Sequence, residues 1–587
     1  MSGASVLGPE ARTTALKRLA EEEFDVVVIG AGVVGSGAAL DAATRGLKVA
    51  QVEARDIASG TSSRSSKLIH GGLRYLEQLE FGLVREALHE RALMLDRLCP
   101  HLVRPLPFLA LLQGGLRERA YVGAGLVLYD TMGTAFGTSR GVPAQRHYTK
   151  KQTIAKFPSL SPDAFSGAIQ YYDAQVDDAR HTMMIARTAA ANGALVVTRA
   201  QAVGFVRDGE YVTGVEVCDL EDPDRGPIRV RARQVINATG VWTDDTQDLV
   251  ATRGQFHVRA SKGVHLLVPR DRIHGSTALT IRTEKSVLFV IPWGRHWILG
   301  TTDTDWELDK AHPAASRTDI EYLLDHVNQY LVTPLGFEDV EGVYAGLRPL
   351  LAGESESTST LSREHVVAHA VPGLVAVAGG KYTTYRVMAK DAVDAAVHGL
   401  DDEAVPESVT DRVPLLGAAG YEALWNARHR LAKQSGLHVG RIEHLLHRYG
   451  TLVSDLLELV AERPELGEAL PGADQYLAVE ALYAATHEGA LHLEDVLTRR
   501  TRISVESWDR GVGCAEQVAR LIAEPLGWDE ARIAREVEHY RARVQAERES
   551  QEQDDDLAAD AVRLGAPDVA PILALGGEAK DTGAATA

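Results

Sequence analysis

The pattern of hydrophobic and polar positions near the start of the chain predicts a strand, a helix and a second strand in succession. Residues 24–29 are mostly β-branched and apolar, which is typical of a strand that is buried on both faces. A glycine-rich turn at 30–35 interrupts this run, and small, Ala-rich residues at 36–44 predict a helix that can pack closely against a sheet. A second apolar run follows at 48–52. Together these segments predict a βαβ unit.

Further strands are predicted far downstream. Residues 235–240 and 374–380 each form a short apolar run that ends in small residues, and a helical pattern follows the second run. Between them, a Pro-Trp-Gly turn at 292–294 separates two apolar runs, which is the pattern of an antiparallel hairpin. After Pro406 the periodicity becomes helical and amphipathic. The clearest of these helical stretches are 421–433, 441–449, 452–461 and 529–548.

These patterns predict an α/β protein of three parts. We expect a Rossmann-like nucleotide-binding domain assembled from separated segments, an antiparallel β-rich domain inserted into it, and an all-α C-terminal domain. A final acidic segment, which becomes rich in Ala and Gly, is expected to be disordered. The predicted boundaries are 21–400 for the two-part body, with about 21–105, 165–260 and 340–400 in its nucleotide-binding part, 405–546 for the C-terminal helical domain and 547–587 for the tail.

The net charge argues against a nucleic-acid-binding protein. The formal charge is -19, and the segment from Glu547 to the end contains ten acidic and three basic residues. The folded body is therefore only moderately acidic, but it still lacks the basic excess that nucleic-acid binding requires. We expect no nucleic-acid partner.

The cysteines and the hydropathy pattern favour a cytoplasmic protein. Cys99, Cys218 and Cys514 are too widely separated for a disulfide framework or a cysteine-based metal site, and no metal is expected. The N-terminal residues lack the apolar core of a signal peptide. No run approaches the roughly 18 apolar residues of a membrane span, since the nearest, 121–137, contains Asp130 and four glycines. Peripheral membrane contact through an amphipathic helix stays open.

The glycine-rich turn has the composition of a dinucleotide-binding motif. Gly30 permits the tight turn, Gly32 lets the backbone approach a pyrophosphate, and Gly35 lets the helix pack close to the strand. The start of the helix supplies N–H groups and partial positive charge for the phosphates. Glu53 ends the second strand, where it can accept hydrogen bonds from ribose hydroxyls.

Both FAD and a nicotinamide cofactor use such a turn, and a structural turn without any ligand is a third alternative. Two downstream features favour FAD. The turn that ends in Gly240 resembles the second flavin contact of flavoproteins with two dinucleotide folds. The turn at Gly379 and Gly380, with Thr383 beyond it, resembles the place where the isoalloxazine end of FAD meets a helix N-terminus. We therefore predict that the cofactor is FAD.

A hydroxyl-rich segment follows the second strand. Six of the eight residues at 59–66 carry a hydroxyl group, and hydroxyls with free backbone N–H groups suit a loop that wraps a flavin. A flexible serine-rich linker is the alternative. A glycine pair at 71–72 follows, between a histidine and an arginine, and would let the backbone press against a flat ligand. The cofactor contacts predicted in this segment are Thr61, Ser62, Ser66, Lys67 and Leu68.

Six motifs occur in order between about residues 22 and 400. The longest is 65–76, Ser-Ser-Lys-Leu-Ile-His-Gly-Gly-Leu-Arg-Tyr-Leu. The others are 176–180, 291–293, 300–303, 346–350 and 379–386. Together they resemble the signature of FAD-dependent glycerol-3-phosphate dehydrogenases, within the D-amino-acid-oxidase-like flavoproteins. The helical region after 406 resembles the cap domain of that family, whereas the acidic tail has no counterpart in it.

The resemblance implies roles for several residues in these motifs. The implied contacts of a substrate phosphate are Arg74, Tyr75 and Arg363. Arginine suits this role because its guanidinium forms bidentate hydrogen bonds with phosphate. The match around Arg363 is looser than the others. Arg348 is implied near the reacting hydroxyl, where it would stabilise developing alkoxide charge. Lys381 is implied beside the flavin ring. The alternative for each cation is a solvated surface charge or an ion pair.

The general base is the most open assignment. His70 can take a hydroxyl proton because imidazole titrates near neutral pH. It can equally contact the flavin or substrate, or only hold its loop. Asp177 and Asp178 are adjacent carboxylates, but neighbouring side chains point apart, so we predict that they hydrogen-bond within the fold rather than form a catalytic pair.

The resemblance implies oxidation of sn-glycerol 3-phosphate to dihydroxyacetone phosphate, with hydride transfer to FAD and electrons passed on to a quinone. It further implies a homodimer docked on the inner face of the cell membrane. One alternative is a glycerol-3-phosphate oxidase that reduces oxygen to hydrogen peroxide. The others are an amine or amino-acid oxidase on the same scaffold, and a dinucleotide-binding regulator without catalytic activity.

Overall fold

A computed structural model describes residues 5–77, 79–135, 142–250, 256–283, 287–352, 365–400 and 405–574. Two large β-sheets form the body of the protein, and helices cover the first sheet and build the cap. Because the chain passes between the two sheets several times, each sheet is assembled from strands that are distant in sequence. The cavity described below lies where the two sheets meet.

The first sheet has a parallel centre in the order β18-β10-β1-β2-β7, as expected for a nucleotide-binding fold. An antiparallel strand, β17, borders β18, and the β8-β9 hairpin pairs with β10. Its strands in the described part of the chain are β1 Glu23–Ile29, β2 Val49–Val52, β7 Leu195–Val197, β8 Ala200–Asp208, β9 Tyr211–Asp219, β10 Ile228–Asn237, β17 His365–Val371 and β18 Leu374–Gly379.

The predicted βαβ unit is confirmed. Strand β1 leads through the glycine turn into helix α2, Val33–Thr44, and β2 then pairs parallel to β1. The central valines of β1 are fully buried, which explains why the run is apolar at nearly every position. Helix α2 is also buried along most of its length, because its small residues let it pack against the sheet and against neighbouring helices.

The second sheet is almost entirely antiparallel, and the predicted hairpin around Pro292 is present as the pair β13-β14. A single parallel pairing joins β4 to β12. Its strands in the described residues are β3 Leu68–Ile69, β4 Arg104–Leu112, β5 Arg146–Thr149, β6 Gly167–Gln175, β11 Val258–Pro269, β12 Ala278–Arg282, β13 Val287–Trp293, β14 His296–Gly300, β15 Thr304–Trp306 and β16 Gly342–Leu351.

The boundaries within the body differ from those the sequence suggested. Strands β6 and β16 lie in the second sheet, although the segments 165–260 and 340–400 were assigned to the nucleotide-binding part. The apolar pattern of a strand shows that it is buried, but it does not show which sheet receives its hydrogen bonds. The long pairing of β16 with β11 is what brings residues 342–351 into the second sheet.

Helices surround the sheets and form the cap after residue 405. The predicted stretch 421–433 is divided into two helices at Ala427, and the other three predicted cap helices are present within two residues of their expected bounds. The helices other than α2 are α1 Pro9–Glu21, α3 Leu73–Glu77, α4 Phe81–Leu93, α5 Leu116–Ala135, α6 Lys150–Lys156, α7 Asp178–Ala191, α8 Thr243–Asp248, α9 Arg317–Asn328, α10 Tyr385–His398, α11 Tyr421–Asn426, α12 Arg428–Ser435, α13 Val439–Tyr449, α14 Val453–Glu462, α15 Ala478–His487, α16 Leu493–Asp495, α17 Ile503–Glu506, α18 Ala515–Leu526, α19 Glu530–Ser550 and α20 Asp556–Arg563. A short hairpin, β19 Ala469–Leu470 with β20 Ala473–Leu477, completes the cap.

The expectation that residues 547–587 are disordered is wrong for the part up to 574. Helix α19 continues to Ser550, α20 follows, and a segment without helix or strand then lies against the body. The acidic composition is explained by cations on the body, since Asp556 pairs with Lys262 at 2.5 Å and Asp568 pairs with Arg55 at 2.8 Å. Residues 575–587 lie outside the described part of the chain.

Candidate functional site

A cavity of about 400 Å³ lies between the two sheets, at the carboxyl ends of the parallel strands. In open α/β sheets this edge is where ligands bind. Helix α2 begins at one side of the cavity, and strands β11 and β16 of the second sheet close the other side. The predicted site residues that line it are Gly30, Gly32, Glu53, Thr61, Ser62, Ser66, Leu68, His70, Tyr75, Gly240, Arg348, Gly380, Lys381 and Thr383.

The glycine turn has the close contacts that its composition predicts. Gly30 adopts φ +104°, and a Cβ atom there would lie 2.7 Å from the carbonyl oxygen of Ala238. A Cβ atom on Gly35 would lie 2.2 Å from the carbonyl oxygen of Gly30, so only glycine permits this approach of helix and turn. Gly35 therefore contacts the turn at Gly30 and does not line the cavity.

Side chains from the next strand and loop hold the turn in place. The Glu53 carboxylate accepts hydrogen bonds from the backbone N–H of Ala31 at 2.7 Å and of Arg55 at 2.8 Å. The Ser62 hydroxyl accepts one from the N–H of Val33 at 2.9 Å. Burial raises the pKa of Glu53, an effect that these backbone donors oppose. Each carboxylate oxygen retains a further lone pair for a ribose hydroxyl.

These features fit a bound dinucleotide. The N-cap residue Gly32 supplies no side-chain cap, Ser62 binds only the N–H of Val33, and the helix opens directly onto the cavity at Val33 and Val34. The uncapped N–H groups and the helix dipole favour a pyrophosphate at this point. Since Gly32 has no side chain, a phosphate can approach the backbone of the turn. The residues therefore fit the predicted FAD.

Lys67 was predicted to contact the cofactor, but its side chain does not line the cavity. Its ammonium group is buried and pairs with Asp178 at 2.8 Å, and it also donates to the carbonyl of Ser63 at 3.2 Å. The Asp178 carboxylate also accepts hydrogen bonds from Ser65, from its backbone N–H at 2.9 Å and its hydroxyl at 2.7 Å. Through its contacts with Asp178 and Ser63, Lys67 thus stabilises the hydroxyl-rich loop without lining the cavity.

The aromatic ring of Tyr75 and the Lys381 ammonium group meet at one end of the cavity. The ammonium nitrogen lies 3.5 Å from the ring centroid, a cation–π contact. Gly380, which precedes the lysine, adopts φ +80° and turns the chain into the short helical turn at 382–384. The hydroxyl of Thr383 accepts a hydrogen bond from the backbone N–H of His70 at 3.2 Å. This bond joins the two sequence motifs that were predicted to meet at the flavin.

Arg348 is held at the cavity wall by several acceptors. It lies on β16 opposite Ser261 of β11. Its guanidinium donates to the Thr301 hydroxyl at 2.9 Å and the Thr302 carbonyl at 3.1 Å, and it lies 3.4 Å from the Asp303 carboxylate. A guanidinium fixed in this way keeps its charge directed at one place in the cavity.

Two predicted substrate residues cannot be placed. Arg74 lies in α3 beside Tyr75, but its side chain is outside the described part of the structure. Arg363 falls within 353–364, which also lies outside it.

Sequence reasoning missed His265, which lines the cavity from β11. Its ring stacks on Tyr344 with centroids 4.8 Å apart, and its Nε2 lies 2.8 Å from the Ser66 hydroxyl. Burial, together with the nearby charges of Arg348 and Lys67, lowers its pKa well below the ordinary value. The available signal was a lone histidine in the apolar run 264–268, a pattern that also suits a structural histidine.

The adenosine end of the cavity was missed as well. Gln201 and Ala202 of β8 line it, and so does Trp242, whose ring lies 5.5 Å from the Arg55 guanidinium carbon. Ile572 from the predicted disordered tail also lines it. No local pattern marks these residues, because each reaches the cavity through packing between distant segments.

Comparisons with known proteins identify the family of this chain. The model of the FAD dependent oxidoreductase family matches residues 25–386, and that of the C-terminal domain of alpha-glycerophosphate oxidase matches 408–533. Glycerol-3-phosphate dehydrogenase 2 of Mycobacterium tuberculosis is 60% identical over 566 residues, covering 96% of this chain and 95% of that protein. The mitochondrial glycerol-3-phosphate dehydrogenase of Homo sapiens is 35% identical, over 88% of this chain and 73% of that protein.

A solved structure supports the fold and the cofactor. The glycerol-3-phosphate dehydrogenase from Bacillus halodurans, complexed with FAD, has a TM-score of 0.75 at 27% identity and covers 92% of this chain and 98% of its own. The family resemblance and the FAD predicted from the sequence are thereby confirmed. The chain belongs to the FAD-dependent glycerol-3-phosphate dehydrogenases, and the dinucleotide for which its glycine turn is shaped is FAD.

Proposed function

We propose that the protein oxidises sn-glycerol 3-phosphate to dihydroxyacetone phosphate and passes the electrons to a membrane quinone. The observation that carries this proposal is the fixed position of Arg348 on the cavity wall, in the same cavity as Lys381 and the FAD-binding turn. The names of the relatives support the same substrate. An amino-acid oxidase would need an arginine placed for a carboxylate and would not respond to glycerol 3-phosphate.

FAD, when bound, supplies a hydride acceptor at its N5 atom. Arg348 stabilises the negative charge that develops on the substrate oxygen as its proton leaves. Its own contacts with Thr301 and Thr302 fix the guanidinium before substrate arrives, so little reorganisation is needed during the reaction. The positive charge of Lys381 lies beside the same cavity and favours the negative charge that the cofactor acquires.

Two histidines face the reacting end and can receive the hydroxyl proton. His70 lines the cavity on the loop that Thr383 holds. His265 also lines it, but burial lowers its pKa well below the ordinary value, which makes the imidazole a weak proton acceptor. We assign the base to His70, as the sequence suggested, and assign to His265 the orientation of Ser66. Tyr75, Arg74 and Arg363 remain the proposed phosphate contacts.

Helix α5 supports attachment to the inner face of the cell membrane. Its exposed face carries Tyr121, Val127 and Leu128, with exposed fractions of 63%, 49% and 40%. Its other face is also apolar, and there Tyr129 accepts a hydrogen bond from the backbone N–H of Gly71 at 2.8 Å. No helix in the described part of the chain is long and apolar enough to cross a bilayer. An exposed apolar face of this kind suits insertion into the lipid surface.

Anaerobic mixing with glycerol 3-phosphate is expected to bleach the oxidised flavin spectrum of the purified protein. The product should be dihydroxyacetone phosphate in amounts equal to the flavin reduced, whereas glycerol and amino acids should leave the spectrum unchanged. A flavin that stays oxidised with glycerol 3-phosphate would show that the substrate assignment is wrong.

In turnover with both acceptors present, quinone reduction should greatly exceed peroxide formation, and the reverse would make the protein an oxidase.

Substitution Arg348→Met is expected to slow flavin reduction by roughly 10²- to 10³-fold, the usual cost of losing one donor to a developing oxyanion. Stopped-flow measurement of the reductive step checks this. Arg259→Met is the matched control, because Arg259 lies on the adjacent strand β11 and pairs with Asp305 at the surface. Equal rates for the two variants would remove Arg348 from the chemistry.

The double substitution Tyr121→Glu and Leu128→Glu is expected to abolish flotation with anionic lipid vesicles while flavin reduction in solution stays normal. The reason is that a carboxylate is unfavourable at the boundary with the acyl chains and is repelled by anionic headgroups. Val332→Glu is the control, since Val332 is 61% exposed and does not belong to α5. Undiminished flotation of the double variant would rule out this helix as the membrane contact.

A further inference from the structure

The last described residues of the chain, 564–574, form neither helix nor strand, and we call this segment the C-terminal strap. It begins where α20 ends, and it lies against the first sheet. The Gln201 side chain binds its backbone twice, accepting from the N–H of Leu573 at 2.8 Å and donating to the carbonyl of the same residue at 2.8 Å. Gln201 is buried on β8, so these two bonds fix the strap to a rigid strand.

An ion pair fixes the middle of the strap. Asp568 lies 2.8 Å from the Arg55 guanidinium and 3.0 Å from Nε2 of His312. Burial opposes ionisation of Asp568, but the hydrogen bond with His312 and the charge of Arg55 hold its pKa well below the ordinary range. The carboxylate is therefore charged at neutral pH. Arg55 follows the ribose-binding Glu53 by only two residues, so the strap is bound directly beside the cofactor site.

The strap reaches the cavity through Ile572. This side chain shares the cavity wall with Glu53, Arg55 and Gln201, whereas the reacting end is lined by Tyr75 and Lys381. In a dinucleotide-binding βαβ unit the ribose lies at the end of the second strand, and the adenine extends beyond it. Ile572 is therefore positioned against the adenosine half of FAD.

We propose that the C-terminal strap is a lid over the adenosine half of the FAD site, held closed by Asp568 and Gln201. It excludes water from the adenine, and FAD cannot leave until both attachments open. Residues 564–574 thus set the rate of cofactor release rather than the chemistry at the other end of the cavity.

Removal of residues 564–587 from the full-length holoenzyme tests this proposal. Diluting the protein into buffer without FAD and following the fluorescence of released flavin gives the dissociation rate. We expect release at least about tenfold faster than in the full chain, while removal of 575–587 alone leaves the rate unchanged. Rates within twofold of the full chain for both truncations would overturn the proposal.

Single substitutions keep the test valid if the larger truncation fails to fold. Ile572→Ala and Asp568→Asn should each speed FAD release several-fold. Leu573→Ala is the matched control, because its side chain is 38% exposed and its bonds to Gln201 come from the backbone. Equal release rates for Ile572→Ala and Leu573→Ala would contradict a lid over adenosine. Since no substrate is present, the outcome does not depend on the proposed reaction.

Discussion

The placement of the flavin loop depends on the buried pair of carboxylates Asp177 and Asp178. Asp178 binds the backbone and hydroxyl of Ser65 and the ammonium group of Lys67. Arg502 of the cap pairs with both carboxylates. The two acids thus tie together the loop, the start of α7 and the cap. Breaking such a buried pair by removing one partner typically costs about 3–5 kcal/mol, because the other charge is left uncompensated.

The cap contributes no residue to the cavity wall in the described structure. Through this network it nevertheless holds the loop that lines the cofactor site. A second buried group, Asp56 with Arg500 at 2.7 Å, joins the loop after β2 to the same part of the cap. Arg499, Arg500 and Arg502, which supply most of the cap's positive charges in these pairs, lie in one short turn. Arg448 of α13 also pairs with Asp177, at 3.1 Å. The cap therefore stabilises the loops that border the FAD site through these ion pairs. The proposed lid, the strap, covers the adenosine end of the same site.

The sequence predicted best those features that depend on local pattern. The glycine turn, the βαβ unit and the hairpin around Pro292 follow from residue types that only a few backbone conformations accept. The internal use of Asp177 and Asp178 was also expected, and Asp177 does cap α7 by accepting from the N–H of Arg180 at 3.3 Å. Its partner Arg502, 325 positions away, carries no sequence signal. The ordered tail was missed because its acidic composition predicts solvation, whereas Lys262 and Arg55 on the body neutralise it.

The most direct test of this network is the dissociation constant of FAD in the variant Asp178→Asn. If the carboxylate pair positions the flavin loop, this variant should bind FAD at least about tenfold more weakly than the native protein. Asp219→Asn is the control, since Asp219 is buried and pairs with Arg12 at 2.5 Å at a site that does not touch the loop. It should retain native affinity. Native FAD affinity in a folded Asp178→Asn protein would contradict the claim that this network positions the flavin loop.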